Sequence, residues 1–252
     1  MRPPEKEFDL KRIAESCALD ETYIQNTPIS PAELKKIYDD FDACKPEFDD
    51  ARSKILTILN DELQGKCHSI RARIKDPDHL IGKIIRNINE KPGKYSQISI
   101  DNYNKIITDL IGVRIIILNR HDWKEIHKSL LSIFKNLPDR YANETNDLEC
   151  YFDKFPAGDK KDWMKTSYHA EEPVVYITSA ADRAEYNVAH LRVDNSREHY
   201  RSIHYIIRYG KFYFEIQVRT LFEEGWLEFD HRVKYPNDRD NPKKAEYISI
   251  LL

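Results

Sequence analysis

The segment Lys211-Phe-Tyr-Phe-Glu215-Ile-Gln-Val-Arg219-Thr220 decides the fold class of this 252-residue chain. Phe212, Phe214, Ile216 and Val218 alternate without a slip with Lys211, Tyr213, Glu215, Gln217 and Arg219, the period of a strand with one apolar face. Upstream, Ser202–Tyr209 reads as a second strand, joined to the first at Gly210 in a tight hairpin. Downstream, Thr220 and Glu223 read as a capping pair that opens a helix carrying Phe222, Trp226, Phe229 and Val233. Farther back, Leu110–Leu118 (LIGVRIIIL) is a nearly continuous apolar run, the mark of a central strand buried on both faces. A helix with Trp123, Ile126, Leu130, Phe134 and Leu137 at helical spacing follows it. Strand and helix signals intermix, so the class is α/β or α+β, a central mixed sheet flanked by helices.

The first half of the chain is helical in pattern. Residues 1–30 are polar and weakly patterned, an arm or short helix. Ser30-Pro31-Ala32-Glu33 is a capping box with proline at the first helical position. A second helix follows Pro46, with Phe48, Ala51, Ile55, Leu59 and Leu63 on one face. His68–Lys75 reads as a strand, and Asp76-Pro77 starts a helix that buries Leu80, Ile81, Ile84, Ile85 and Ile88. Residues 138–190 read as an irregular, acidic insertion with one short strand near Val174–Ile177.

Composition excludes several function classes. Basic and acidic residues nearly balance, 40 against 43 for a net charge of −3. The balance hides a gradient: residues 1–65 carry 15 acids and 9 bases, whereas residues 66–94 carry 8 bases and 3 acids. Only 7 glycines are present, and no two are closer than Gly82 and Gly93. Both GxGxxG and GxxxxGK[ST] need glycines two or five positions apart, so a glycine-cradled phosphate site is ruled out. No run of 18 apolar residues exists, so no membrane span is expected, and the N-terminus does not read as a secretory signal. Cys17, Cys44, Cys67 and Cys150 lack CxxC spacing and read as free thiols of a cytoplasmic protein, not as a zinc site.

Phosphate binding by side chains remains available. Arg73 and Lys75 share one face of a strand, and Lys83 lies on the helix it feeds; guanidinium and ammonium groups bind polyphosphate without glycine. The same charges read equally as a solvated face. Asp109, just before the buried run, is either a turn residue or a carboxylate for Mg²⁺. An arginine inside the apolar run, Arg114, must be paired or aimed into a cleft. Strict alternation puts Asp109 and Arg114 on opposite faces, so they converge only if Asp109 belongs to the preceding turn. The polar face of the last strand reads equally as a solvent face or as part of a site.

Taken together, Arg73-x-Lys75…Lys83, Asp109-Leu-Ile-Gly-Val-Arg114, Tyr200-Arg-Ser-Ile-His204, Glu215-Ile-Gln-Val-Arg219-Thr220 and Trp226…Asp230-His231…Tyr235 stand in the order seen in RelA/SpoT-type alarmone synthetases, which this chain resembles. The resemblance implies a nucleotidyltransferase-like synthetase fold over residues 45–236, which leaves an N-terminal helical arm at 1–44 and a C-terminal extension at 237–252; the sequence stops mid-pattern at Ile250-Leu251-Leu252, so a longer natural product is expected. It implies transfer of the β,γ-diphosphate of ATP, with Mg²⁺, to the 3′-hydroxyl of GDP or GTP. By that likeness Arg73 and Arg114 sandwich the adenine, while Lys75 and Lys83 hold the ATP phosphates. Gln217 and Arg219 complete the cofactor-binding set. Asp109 and Glu215 ligate Mg²⁺ as the catalytic carboxylates, with Glu215 polarising the acceptor hydroxyl. Tyr200 stacks on the acceptor base, with His204, Arg197 and Arg201 beside its phosphates.

The departures fall on the acceptor side. His79 stands where the family has serine, and His199 where it has glycine. The family's Asp-Tyr-Ile…Pro-Lys approach is replaced by His190-Leu-Arg192-Val-Asp-Asn-Ser-Arg197-Glu-His199. An altered acceptor loop also fits a toxin that pyrophosphorylates the 3′ CCA end of tRNA, and a third reading is a catalytically silent nucleotide-binding sensor. The company implied is ATP, a guanosine nucleotide or tRNA, and a second copy or a regulatory partner such as an antitoxin, without a membrane.

Overall fold

The computed structural model describes residues 7–135, 168–196, 200–209 and 212–234. These divide into two compact units: residues 1–42, 76–100 and 225–252, and residues 43–75 and 101–224.

The first unit is helical: α1 (Leu10–Ser16), α2 (Glu21–Gln25), α3 (Pro31–Ala43), α5 (Pro77–Glu90) and α6 (Pro92–Tyr95). Asp76 caps α5 as expected, its carboxylate accepting from Asp78 N (2.9 Å) and His79 N (3.3 Å). The expected apolar face of α5 is fully buried. Between residues 7 and 30 the chain forms two short helices strapped to α5, in keeping with the short helix expected there. Arg12 pairs with Asp78, which is only 3 % exposed, and Arg86 Nη2 donates to Cys17 O at 3.0 Å. Ser30 caps α3 by accepting from Glu33 N at 3.1 Å. Glu33 does not return the bond as a capping box would; its carboxylate instead accepts from Ile100 N at 2.9 Å.

The second unit holds a six-stranded mixed sheet. Its strands are β1 (Ser69–Ile74), β2 (Ile111–Ile117), β3 (Val174–Ile177), β4 (Arg192–Asn195), β5 (Ser202–Tyr209) and β6 (Phe212–Thr220), in the order β1-β2-β6-β5-β3-β4. The β2–β6 and β3–β4 pairs are parallel, and the other pairs are antiparallel. The apolar run at 110–118 is the interior strand it promised to be. The β5–β6 ladder closes at Tyr209 opposite Phe212; the turn at Gly210 lies outside the described residues. Of the stretch read as an insertion, residues 136–167 also lie outside them, while β3 sits inside the sheet with Val175 and Ile177 buried.

One sheet face is apolar. Val113, Ile115, Tyr205, Ile207, Phe214 and Ile216 have no exposure. They lie beneath α4 (Lys45–Glu62) and α8 (Trp123–Ile133): Phe48 packs on Phe212 at 4.5 Å between ring centroids, and Phe134 on Phe214 at 5.7 Å. Each such buried side chain contributes about 1.5–3 kcal/mol of transfer free energy. Among the short elements not foreseen are α6, α7 (Tyr103–Ile106) and strand β4. The helix after β6, α9 (Leu221–Lys234), begins in this unit and continues in the other.

Two histidines sit under the apolar face. His127 Nδ1 lies 2.9 Å from the Tyr205 hydroxyl, and its Nε2 lies 3.3 Å from Ala189 O. His169 has no exposure and stands edge-on to Phe134. Burial lowers the pKa of both, that of His169 to about 4. A neutral buried imidazole that charges near pH 6.5 once unfolded makes the unfolded chain bind more protons between those two values. Stability is therefore expected to fall as pH drops from about 6.5 toward 4, with His169 alone accounting for about 3 kcal/mol. Urea midpoints of wild type and His169→Leu, measured across that window, should converge at acid pH because the variant lacks this slope.

Candidate active site

The other sheet face carries the polar residues. Directly paired residues share a face, so the ladder places Arg71, Arg114, Gln217 and His204 in one row and Arg73, Gly112 and Glu215 in the next. Gly112 has no side chain to project between Arg73 and Glu215. The period-two pattern of β6 thus supplies Glu215, Gln217 and Arg219 to a single surface, flanked by β2 on one side and β5 on the other.

On that surface Glu215 is held at both oxygens. Oε1 lies 3.0 Å from His204 Nδ1, and Oε2 accepts from Gln217 Nε2 at 2.5 Å. Burial pushes this carboxyl up, and the charge of Asp109 adds to that push. The hydrogen bond and charge of His204, with the bond from Gln217, outweigh both, so the carboxyl sits below its ordinary value. Tyr200 OH lies 2.6 Å from His204 Nε2 and accepts from Arg219 Nη2 at 2.8 Å. Burial raises the Tyr200 phenol against the opposing pull of Arg219, which keeps its proton in place. Tyr176, on β3, stands edge-on to both Tyr200 and His204.

The cations are engaged with carboxylates. Lys75 Nζ lies 2.8 Å from Asp109 Oδ2. Arg114 Nη1 donates to Glu224 Oε1 at 2.5 Å, and Arg219 Nη1 to Glu224 Oε2 at 3.0 Å. Asp109 does sit in the turn before β2, which removes the alternation conflict: its charge reaches Glu215 although its parity in the strand would have turned it away. Arg73 lies on β1 with its side chain exposed.

Not every expected residue joins this cluster. Arg201 turns to Asp182 (2.6 Å), Thr178 (3.3 Å) and Glu223 (3.4 Å), in a second network that includes Arg120, 2.8 Å from Asp182 and 2.9 Å from Glu185. Lys83 lies on α5 in the first unit, and Arg197 lies outside the described residues. Sequence reasoning missed Glu224, Tyr176 and Ser202. Glu224 was hidden beside Glu223, whose reciprocal bonds with Thr220 (2.8 and 3.2 Å) form the expected cap. Its position in the first turn of a helix following the Arg219 strand was the available signal.

Among the described residues, no group of three or more His, Cys, Asp or Glu side chains gathers as a metal cage. Asp109 and Glu215 are hard oxygen donors close enough to influence each other's charge. This donor set fits Mg²⁺, which takes one or two protein carboxylates and fills its shell with phosphate and water.

Removing Glu224 would leave two guanidiniums, one of them only 6 % exposed, without their shared carboxylate. Glu224→Ala is expected to cost about 3 kcal/mol, read as a lower urea midpoint, with Glu224→Gln recovering part of the loss.

The family profile described as "Region found in RelA / SpoT proteins" matches residues 72–240. No curated protein matches the sequence. Among solved structures, a GTP pyrophosphokinase family protein from Streptococcus pneumoniae is 14% identical, with a TM-score of 0.44, covering 84% of this chain and 83% of its own. Small alarmone synthetase 1 from Bacillus subtilis, bound to its product pppGpp, is 14% identical, with a TM-score of 0.39 and 79% of each chain covered. The profile spans more than half of the sequence and takes in the second half of β1 and all of β2, β5 and β6, the strands that build the polar face: the chain belongs to the RelA/SpoT family.

Proposed function

We propose that this chain is an ATP-dependent 3′-pyrophosphokinase that transfers the β,γ-diphosphate of ATP to the 3′-hydroxyl of GDP or GTP. One observation carries the reading: Glu215, held ionised by two hydrogen bonds, shares a sheet face with Arg73 and Arg114, reaches Tyr200 through His204, and feels the charge of Asp109 beside Lys75. In the transfer, the 3′-oxygen forms a bond to the β-phosphorus, the bond from that phosphorus to the α-phosphate oxygen breaks, and AMP leaves. The hydroxyl proton departs on the side of Glu215.

Such a reaction is governed by positioning and charge neutralisation, without a covalent nucleophile. Arg73 and Arg114 are the cations for the adenine side and Lys75 for the phosphates, with Lys83 assigned there by family likeness alone. Asp109 and Glu215 would hold Mg²⁺, which when bound supplies neutralisation of diphosphate charge. Lys75 is paired with Asp109, so an entering polyphosphate exchanges that ion pair for a cation–phosphate contact. Tyr200 offers its ring to the acceptor base. Glu215, low in basicity because His204 and Gln217 donate to it, is suited to accepting a hydrogen bond from the hydroxyl and orienting it.

Incubation with ATP labelled in its β- and γ-phosphates, Mg²⁺ and GDP or GTP is expected to yield a 3′-diphosphorylated nucleotide and AMP. Glu215→Gln should lower kcat/KM by about 10²–10³-fold. Absence of product with both nucleotides overturns the reading, and label appearing instead in a parallel arm with bulk tRNA reassigns the acceptor.

A further inference from the structure

The hydrogen bonds around Glu215 close into a ring whose directions can be assigned from the groups themselves. A guanidinium only donates, and an ionised carboxylate only accepts. Arg219 Nη2 has two hydrogens and two partners, the Tyr200 hydroxyl at 2.8 Å and Gln217 Oε1 at 2.6 Å. One arm runs from Arg219 to Gln217 Oε1, and from Gln217 Nε2 to Glu215 Oε2 at 2.5 Å. The carboxamide orientation is thereby fixed, because its oxygen must face the guanidinium and its nitrogen the carboxylate.

The other arm runs from Arg219 to the Tyr200 oxygen, from the Tyr200 hydroxyl to His204 Nε2 at 2.6 Å, and from His204 Nδ1 to Glu215 Oε1 at 3.0 Å. Because the phenol oxygen accepts from Arg219, its hydrogen is available for the imidazole. Because the carboxylate cannot donate, the neutral imidazole carries its hydrogen on Nδ1. Every donor meets an acceptor, and both arms start at one nitrogen and end on one carboxylate.

We propose that Arg219 is a positioning residue that acts through the Tyr200 hydroxyl and His204 on one side and Gln217 on the other to fix the orientation of Glu215. Tyr200 then has two separable roles. Its ring, with the Arg219 guanidinium 5.2 Å from its centroid, is the part offered to a planar partner, while its hydroxyl selects the His204 tautomer that holds Glu215. The arrangement ties the seating of the acceptor to the aim of the carboxylate, so a Tyr200 displaced from its place also releases Glu215. The ring extends through Glu224 to Arg114, which connects the adenine-side arginine to the same framework. The catalytic consequence rests on the pyrophosphokinase reading; the tautomer does not.

The test uses the full chain with ¹⁵N-labelled histidine, the His204 signals being identified by their loss in His204→Gln. At pH 8 wild-type His204 is expected to show a protonated Nδ1 and a bare Nε2. Tyr200→Phe, which keeps the ring and the fold, should give a mixture of tautomers. With ATP and the guanosine nucleotide, Tyr200→Phe should lower kcat about tenfold while the acceptor KM changes less than about twofold, because orientation is lost and stacking is kept. Arg219→Lys should disturb the tautomer in the same way, since one ammonium does not reproduce the planar fork. A protonated Nε2 in wild type, or a Tyr200→Phe protein with wild-type tautomer and kcat, overturns the proposal. If wild type transfers nothing from ATP, the pyrophosphokinase reading fails, and the tautomer measurements alone still decide the ring.

Discussion

A guanidinium that is almost out of water must be satisfied on every side, and Arg219 imposes that demand on the centre of this molecule. Its nitrogens reach Ser202 on β5, Tyr200 before it, Gln217 on its own strand and Glu224 on α9. Leaving such a charge unpaired costs several kcal/mol. The arrangement that satisfies it therefore fixes the register of β5 on β6 and the entry of α9 together. The polar face is held by what Arg219 requires, whereas the apolar face is held mainly by packing, with the His127–Tyr205 hydrogen bond within it.

The same demand explains why the site has several charges yet little net field. Glu224 is shared by two arginines, Asp109 faces Lys75, and Glu215 is bracketed by neutral or donating groups. Paired charges are already oriented, so a ligand that exchanges one partner for another meets little reorganisation. Strands β2, β6 and β5 beneath them are interior to the sheet, which makes that part of the floor the least deformable, while β1 forms its edge.

Much of the fold was legible because it depends on local period. The apolar run at 110–118 and the alternation at 211–219 each name an interior strand without outside information. The short strand at Val174–Ile177 was legible in the same way. Strand β4 was not, since Arg192-Val-Asp-Asn195 has no apolar alternation and is a strand only because β3 offers it a ladder. The site was partly legible. Residue types and spacing singled out Asp109 and Arg114, Glu215 stood out only through the family resemblance, and the polar face of β6 read equally as solvent face or site. That question turns on what β5 brings opposite: His204 faces Gln217 across the ladder. Glu224 takes half of its role from Arg219 five residues back and half from distant Arg114, whereas His169 acquires its place entirely from residues distant in sequence.

The position of β6 also governs when the site can exist. This strand carries Glu215, Gln217 and Arg219, and it lies between β2 and β5, so without it those two neighbours have no ladder connecting them. Its parallel pairing with β2 joins segments about a hundred residues apart, a long loop closure that is intrinsically slow. During synthesis the donor-side residues Arg73, Lys75 and Arg114 leave the ribosome well before the carboxylate they would serve. A nascent chain therefore carries these cationic side chains before β6 exists, and the polar face is assembled only when that strand inserts between β2 and β5.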